Sequence, residues 1–425
     1  MMRANISWAF AGNSVYAGCQ WLVFVLIVRS LDLGRAGQFA YWMAVTGPVF
    51  VLANMRLRNL VATADDSLFE FSHYLNARLL TTAVATGVVA LIGTSLSIDR
   101  HALAIVALVT SGRACDAISE ICHGLFQREL DMRTAGLGLM INGTLSAALV
   151  GAGLWTWPSL PGAAGMYAAA SLVTLICWDL PRMRRALRIR GRSLTRTGGL
   201  PAAVKAIWRA LPLGLSAAIG SLQINVPRYA IAAYLGPAAL AVFTALAYIP
   251  TLSNLIANAI AQAALPVLAR DLRVSRPAYV TRLRTLVCSG VALGAVSVLT
   301  TALIGRVLVT LVYSAEIARH VDVLICLMIA AALTYSFLFL GSALTARLRF
   351  VTQCFISSAG LLTVASSVVP LVGHFGLRGA AYALCAGAVV EGSAYVAVTA
   401  HDLKTDARLR SEPSGLMDEC PGEAA

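Results

Sequence analysis

The chain has 425 residues, of which 58% are hydrophobic and only 12% charged, yet its formal net charge is +13. Soluble domains run nearer about 45–50% apolar and about 25% charged, so the composition excludes a water-soluble globular domain and a disulfide scaffold, and the basic excess is no sign of a nucleic-acid partner. Unbroken apolar runs of about twenty residues, without period-two alternation, exclude a transmembrane β-barrel.

A helix needs about 20 apolar residues to cross a bilayer core, and twelve such runs are separated by charged or turn-rich breaks. The first three are Ile6–Val28, Gly37–Met55 and Leu79–Ile98. Helix one carries Asn13 and Gln20; its Ala17-Gly18-Cys19 only faintly resembles a lipoprotein processing site, so the helix is expected to stay on the protein. Helix four, Ala102–Leu125, carries Arg113, Asp116, Glu120, His123 and, just beyond its end, Gln127. These steps of three and four place them on one helix face. The stripe either lines a central cavity or neutralises itself, Arg113 pairing with Asp116 or with another helix. Ionisable groups at this depth cost several kcal/mol unless paired or hydrated.

Helices five and six, Ala135–Trp155 with Asn142 and Gly162–Leu180, close an N-terminal lobe over residues 1–181. The basic segment 182–209, with Gly191, Gly198, Gly199 and Pro201 among its arginines, reads as a linker drawn to anionic membrane lipids. Helices seven to twelve form a C-terminal lobe over 210–400: Ala210–Leu235, Ala238–Leu265, Leu286–Gly305, Val321–Ala346, Phe350–Gly373 and Gly379–Ala400. In helix seven, Gln223, Asn225 and Arg228 flank Pro227, which is expected to break or kink the helix and so build a site near mid-membrane. Helix eight adds Asn254, Asn258 and Gln262 at spacing four, bridging helices or facing a ligand. Glu391 in helix twelve is either a proton-coupling group or half of an ion pair. Residues 401–425 read as a disordered tail.

With a cytoplasmic N-terminus, 25 of the 33 basic residues fall on the cytoplasmic side and six outside, leaving Arg113 and Arg228 in the membrane. That asymmetry predicts an even number of spans and both termini in the cytoplasm. Leu33-Gly34-Arg35-Ala36 opening helix two matches Leu235-Gly236-Pro237-Ala238 opening helix eight, and Pro48 matches Pro250 at the same offset. The expected fold class is therefore all-α: two six-helix lobes related by a parallel pseudo-twofold repeat. The nine cysteines lack Cys-x-x-Cys spacing and read as small buried hydrophobes. No metal cluster, phosphate-cradling loop or nucleophile elbow is evident, so no enzyme activity and no cofactor is expected.

Several segments taken together carry a family resemblance. Asn225-Val226-Pro227-Arg228-Tyr229, Tyr234-Leu235-Gly236-Pro237 and Val242-Phe243-Thr244-Ala245-Leu246-Ala247-Tyr248-Ile249 resemble bacterial polysaccharide-biosynthesis flippases of the O-antigen type. So do Leu33-Gly34-Arg35-Ala36-Gly37-Gln38-Phe39, Met55-Arg56-Leu57-Arg58-Asn59, Gly124-Leu125-Phe126-Gln127-Arg128 and Leu311-Val312-Tyr313-Ser314. That group stands with the multidrug and toxic compound extrusion transporters and the lipid II flippases. The resemblance implies a bacterial cytoplasmic-membrane protein that moves an undecaprenyl-diphosphate-linked oligosaccharide by alternating access, beside polysaccharide assembly proteins. Arg113 and Arg228 would meet phosphates, and Asn225, Asn254, Asn258 and Asn13 would meet hydroxyls. Asp116 and Glu120 beside Arg113 depart from a simple cationic cavity and, with Glu391, keep H⁺ or Na⁺ coupling open. A drug or cation antiporter of the same fold, and a membrane polysaccharide polymerase or ligase, are the alternatives.

Overall fold

The structure, a computed structural model, describes residues 2–63, 70–96, 99–189, 199–347 and 349–411. The helices are α1 (Met2–Ser30), α2 (Leu33–Asn54), the short α3 (Leu57–Thr63), α4 (Phe71–Ser95), α5 (Arg100–Arg128), α6 (Met132–Thr156), α7 (Leu160–Thr174) and α8 (Leu180–Ile189). There follow α9 (Leu200–Tyr234), α10 (Gly236–Val274), α11 (Arg276–Val312), the single turn α12 (Ala315–Ala318), α13 (Val321–Ala346), α14 (Phe350–Phe375) and α15 (Leu377–Ser411). A π-helical turn, Leu175–Asp179, joins α7 to α8 into one continuous rod. Twelve of the resulting helical rods are long and apolar enough to cross a membrane, and the chain is a multi-pass membrane protein.

Side-chain caps set the sharp starts. Asp32 accepts from the Arg35 N–H, Asp99 from Ala102 and Asp131 from Thr134, at 2.9, 2.7 and 3.0 Å. Each occupies an orphan donor of a first helical turn. The helices outrun the apolar runs that predict them. The rod of α7 and α8 continues to Ile189 through four arginines, and α9 starts at Leu200, so most of the basic linker is helical extension. Residues 190–198, and the tail beyond 411, lie outside the described residues.

The two halves repeat their packing with an offset of six crossings. α1 lies along α6 as α9 lies along α14; α5 packs on α7 as α13 packs on α15; α4 meets α5 as α11 meets α13. The halves join where α2 crosses α10. There Gly37 sits directly against the Pro237 carbonyl, with no room for a Cβ, so the two repeated sequence segments also meet each other.

Three buried apolar clusters fix the shape. One, at the end opposite the chain termini, runs without interruption through both halves, from Val23, Phe39 and Tyr167 to Phe243, Tyr313 and Val368. At the basic end, which holds the start of α1 and the end of α15, the core divides. One cluster joins Leu57, Phe71 and Ile121 to Ala203, Ala206 and Ala210 of α9, and another joins Leu268, Tyr279 and Leu340 within the C-terminal half. The halves are thus welded at the sparsely charged end and separate at the basic end, with the first part of α9 packed on the N-terminal half. Large apolar side chains at Leu299, Leu303, Val307 and Leu311 of α11 stay exposed, as expected of a surface turned to lipid.

Candidate functional site: two polar cavities

Two polar cavities stand out among the described residues, one mainly in each half. The N-terminal cavity, about 420 Å³, is lined by Tyr16, Asn54, Arg58, Arg113, Asp116, Glu120, His123 and Asn142, and by Ser221, Asn225 and Arg228 of α9. The C-terminal cavity, about 440 Å³, is lined by Asn258, Gln262, Gln353, Glu391 and Tyr395, and by Arg56 reaching over from the N-terminal half. Arg56 and Arg58 diverge at the corner between α2 and α3, where Met55 and Arg56 both have left-handed backbones, at φ 45° and 48°. Non-glycine residues pay for that conformation, and here it turns two neighbouring arginines toward different cavities.

Of the stripe on α5, Arg113, Asp116, Glu120 and His123 line the N-terminal cavity and Gln127 does not. Arg113 and Asp116 make no direct ion pair among the described residues, although Asp116 lies within electrostatic reach of Arg113. Asp116 accepts from Asn142 Nδ2 at 2.8 Å and from the Tyr167 hydroxyl at 2.9 Å. Arg113 instead directs an amino group at the Met43 sulfur, 3.8 Å away, and its Nε has no hydrogen-bond partner. Arg228 donates to Asn225 Oδ1 at 2.9 Å, and its Nε is likewise unpartnered. No carboxylate pairs with either guanidinium among the described residues. Both guanidiniums line the same cavity, which thus holds two cations.

Pro227 does not break its helix. α9 is continuous from Leu200 to Tyr234, with Pro212 and Pro227 both inside it. A membrane helix tolerates proline where side chains or neighbouring helices satisfy the freed backbone groups. Asn225 and Arg228 therefore project from regular helix rather than from a discontinuity.

Of the other predicted residues, Asn258 lines the C-terminal cavity and bonds Asn254 Oδ1 at 3.0 Å, so Asn254 supports it from the same helix. Glu391 lines that cavity, hydrogen-bonded to Gln223 of α9. It packs on Gly360, where a Cβ would strike its carboxyl. Asn13 is exposed and bonds its own helix at the Ala9 carbonyl, 2.7 Å away, outside both cavities.

Sequence reasoning missed two groups. Arg58 and Arg78 count there as part of a cytoplasmic collar, yet Arg58 lines the cavity and Arg78 is fully buried, bonded to Asn54 and 3.5 Å from Glu120. The signal was present: Phe71, Tyr74, Arg78, Thr81 and Ala85 share one helical face, and all are buried. The second is Asp179, which lies 3.1 Å from the predicted His123; it falls inside the predicted run Gly162–Leu180 and carries no mark of its own there.

Against known proteins, the family model for polysaccharide biosynthesis proteins matches residues 2–271. The capsular polysaccharide biosynthesis protein CapF of Staphylococcus aureus is 24% identical over 383 residues, spanning 89% of this chain and 94% of that one. Among solved structures, a multidrug resistance MATE family transporter of the MOP superfamily in an inward-facing conformation superposes with a TM-score of 0.73, at 15% identity, covering 93% of this chain and 96% of that one. An outward-facing structure of such a transporter gives 0.66 at 16% identity over 95% of each chain. A MOP superfamily transporter from Pyrococcus furiosus gives 0.66 at 15% over 94% of each. The likeness to these structures is one of fold, whereas the family match extends over more than half of the sequence, and the chain belongs to the polysaccharide biosynthesis protein family.

Proposed function

We propose that this protein is a transporter that carries a lipid-linked saccharide, of the undecaprenyl-diphosphate class, between the leaflets of the bacterial cytoplasmic membrane. The basic end faces the cytoplasm, since basic residues are retained on that side, and both termini lie there. The observation that carries the reading is the pair Arg113 and Arg228: two partly buried guanidiniums, each with an unpartnered Nε and no direct ion pair among the described residues, on the wall of one polar cavity. A partly buried cation with no direct counter-ion gains when an anion arrives to meet it. A diphosphate is such an anion, and guanidinium forks match its oxygens in bidentate fashion. The C-terminal cavity, with the carboxamides of Asn258, Gln262 and Gln353 and the hydroxyl of Tyr395, suits the saccharide. Arg56 and Arg58 at the strained corner receive the headgroup as it enters between the separated basic ends. Closing that end and opening the other completes alternating access.

A drug or cation antiporter of this fold would need free acidic ligands. Asp116 is already held by Asn142 and Tyr167, and Glu120 lies beside Arg78, so the N-terminal cavity favours an anion. Arg113→Ala and Arg228→Ala are each expected to abolish surface polysaccharide while the protein stays inserted and abundant by membrane immunoblot. A deletion strain should accumulate lipid-linked saccharide accessible only from the cytoplasmic side. Normal polysaccharide in both variants would remove the assigned roles.

A further inference from the structure

We propose that the C-terminal cavity is a selective site for one uncharged hexopyranose unit of the carried saccharide, and that Glu391 is the residue that reads two neighbouring hydroxyls of it. The orientation of the carboxamides in the cavity wall is fixed by backbone carbonyls, which can only accept. Asn258 Nδ2 donates to the Asn254 carbonyl at 2.9 Å and to Asn254 Oδ1 at 3.0 Å. Gln353 Nε2 donates to the Gly341 carbonyl and, at 2.8 Å, to Thr345 Oγ1. Each amide thus spends both of its N–H groups on the protein, and what it keeps for a ligand is its carbonyl oxygen. Glu391 adds a carboxylate to the same wall. Gln223 bonds it from α9, and no cation is paired with it among the described residues. A carboxylate offers about four acceptor positions, so most of them stay open. The wall therefore presents acceptors and calls for a ligand rich in donors.

Glycines make the room for these groups. Gly360 of α14 lies against Glu391, where a Cβ would stand 2.5 Å from Oε1. Gly392 of α15 leaves no space for a Cβ beside the Phe337 ring, and the Tyr395 ring lies over Gly341 of α13. Glu391 and Tyr395 are four residues apart on α15 and so share a helical face. Phe337 and Tyr395 both line the cavity, and their rings supply apolar surface for the C–H face of a pyranose while its hydroxyls meet the acceptors. Its volume of about 440 Å³ is within the range of about 300–1,000 Å³ usual for small-ligand sites.

The same acceptors decide between ligand classes. A diphosphate would meet like charge at Glu391, which leaves it to the guanidiniums of the other cavity. An ammonium is the other donor-rich ligand, but Arg56 reaches this cavity and opposes a cation. Two of the three acceptors are neutral carbonyls on separate helices, α10 and α14, a spread that suits hydroxyls around a ring better than a single point charge. Hydrogen bonds from a pair of adjacent hydroxyls to one carboxylate are charge-assisted and about twice as strong as neutral ones, so Glu391 carries the largest share of the selectivity. The site rests on the transporter reading for the source of its ligand, and it assigns the sugar and the diphosphate of one substrate to different cavities.

Binding is measurable on the purified full-length protein in lipid nanodiscs, with methyl glucoside, methyl galactoside and methyl mannoside as probes and saturation-transfer magnetic resonance as the readout. At least one of the three is expected to bind. Glu391→Gln should weaken it by about tenfold or more, the equivalent of about 1.5 kcal/mol for a bond to a charged group. Asn258→Leu should weaken it severalfold. Gly360→Ala should weaken it with every acceptor still present. Monodeoxy analogues then locate the contact: removing either hydroxyl of one adjacent pair should lower affinity for the wild type and change it much less for Glu391→Gln. Such coupling is a sign of direct contact that a merely structural role would not give. Gel filtration and melting curves report whether each variant is folded. Failure of the wild type to bind all three glycosides, or equal losses with the deoxy analogues in wild type and Glu391→Gln, would overturn the site. Tetraethylammonium binding that is lost in Glu391→Gln and that no glycoside displaces would overturn it in favour of a cation site. Arg113→Ala is expected to bind the glycoside as the wild type does. Normal surface polysaccharide in Arg113→Ala and Arg228→Ala, with glycoside binding intact, would overturn the diphosphate assignment and leave the sugar site standing.

Discussion

Buried arginines of the two lobes have different jobs, and their partners tell them apart. Arg78, Arg113 and Arg228 all have an unpartnered Nε, but Arg78 is fully buried with its amino groups on Asn54 and Glu120, a structural group, whereas Arg113 and Arg228 make no direct ion pair among the described residues and face a cavity. Removing one member of a buried pair costs about 3–5 kcal/mol. Glu120 is 32% exposed and partly rehydrates, so Arg78→Ala is expected near the lower end of that range, read as a lowered melting temperature in detergent. Arg113→Ala and Arg228→Ala should melt close to the wild-type temperature, because neither guanidinium holds a direct ion pair among the described residues and both stand at a cavity wall. A large drop in melting temperature for these two would assign them to the scaffold instead.

Helix crossings show how far the sequence alone could be read. Pro48 lacks an N–H, so the Ala44 carbonyl one turn earlier loses its helical donor. Tyr229 of the other half fills the gap, its hydroxyl donating to Ala44 O at 2.7 Å. Pro48 and the repeat around Leu33 and Leu235 were visible in the sequence as periodic marks, and so were twelve helices, since hydropathy is local. That Gly37 meets Pro237, or that Tyr229 repairs Ala44, was not visible, because partners across a lobe boundary leave no local pattern. The same limit hid Asp179. Its register depends on a π turn, which composition does not signal, and its partner lies 56 residues away. Gly37→Ala drives a methyl into the Pro237 carbonyl and should destabilise by about 1–3 kcal/mol through overpacking. Gly87→Ala, on α4 with open space around it, should be neutral or stabilise by up to about 1 kcal/mol. Parallel melting curves of the two variants check the contrast.

The whole molecule is closed at one end, and the closure is built around Tyr313 at the end of α11. Trp21 Nε1 donates to its hydroxyl at 2.8 Å, and the hydroxyl donates to the Ala245 carbonyl at 3.0 Å. Arg29 of α1 donates to the Tyr313 carbonyl at 3.2 Å and to the Leu311 carbonyl. The Trp21 and Arg29 bonds tie α1 to the end of α11 across the two halves, within the apolar cluster that spans both, while the Ala245 bond orients the Tyr313 hydroxyl inside the C-terminal half. Parting the halves at this end breaks the bonds from Trp21 and Arg29, so these stabilise the closed state relative to the open one. Tyr313→Phe keeps the ring and its packing but removes the hydroxyl. At about 0.5–1.5 kcal/mol per net hydrogen bond, losing the one hydroxyl bond that crosses the halves shifts the balance by about two- to tenfold toward opening. Trp21→Phe removes the same bond and should shift it in the same direction. Spin labels at the exposed positions 157 and 307, one in each half at this end, report the change as a longer-distance population in pulsed electron resonance. Growth of that population over wild type in both Trp21→Phe and Tyr313→Phe is the expected result. Distance distributions that do not change would mean that apolar packing alone holds this end shut.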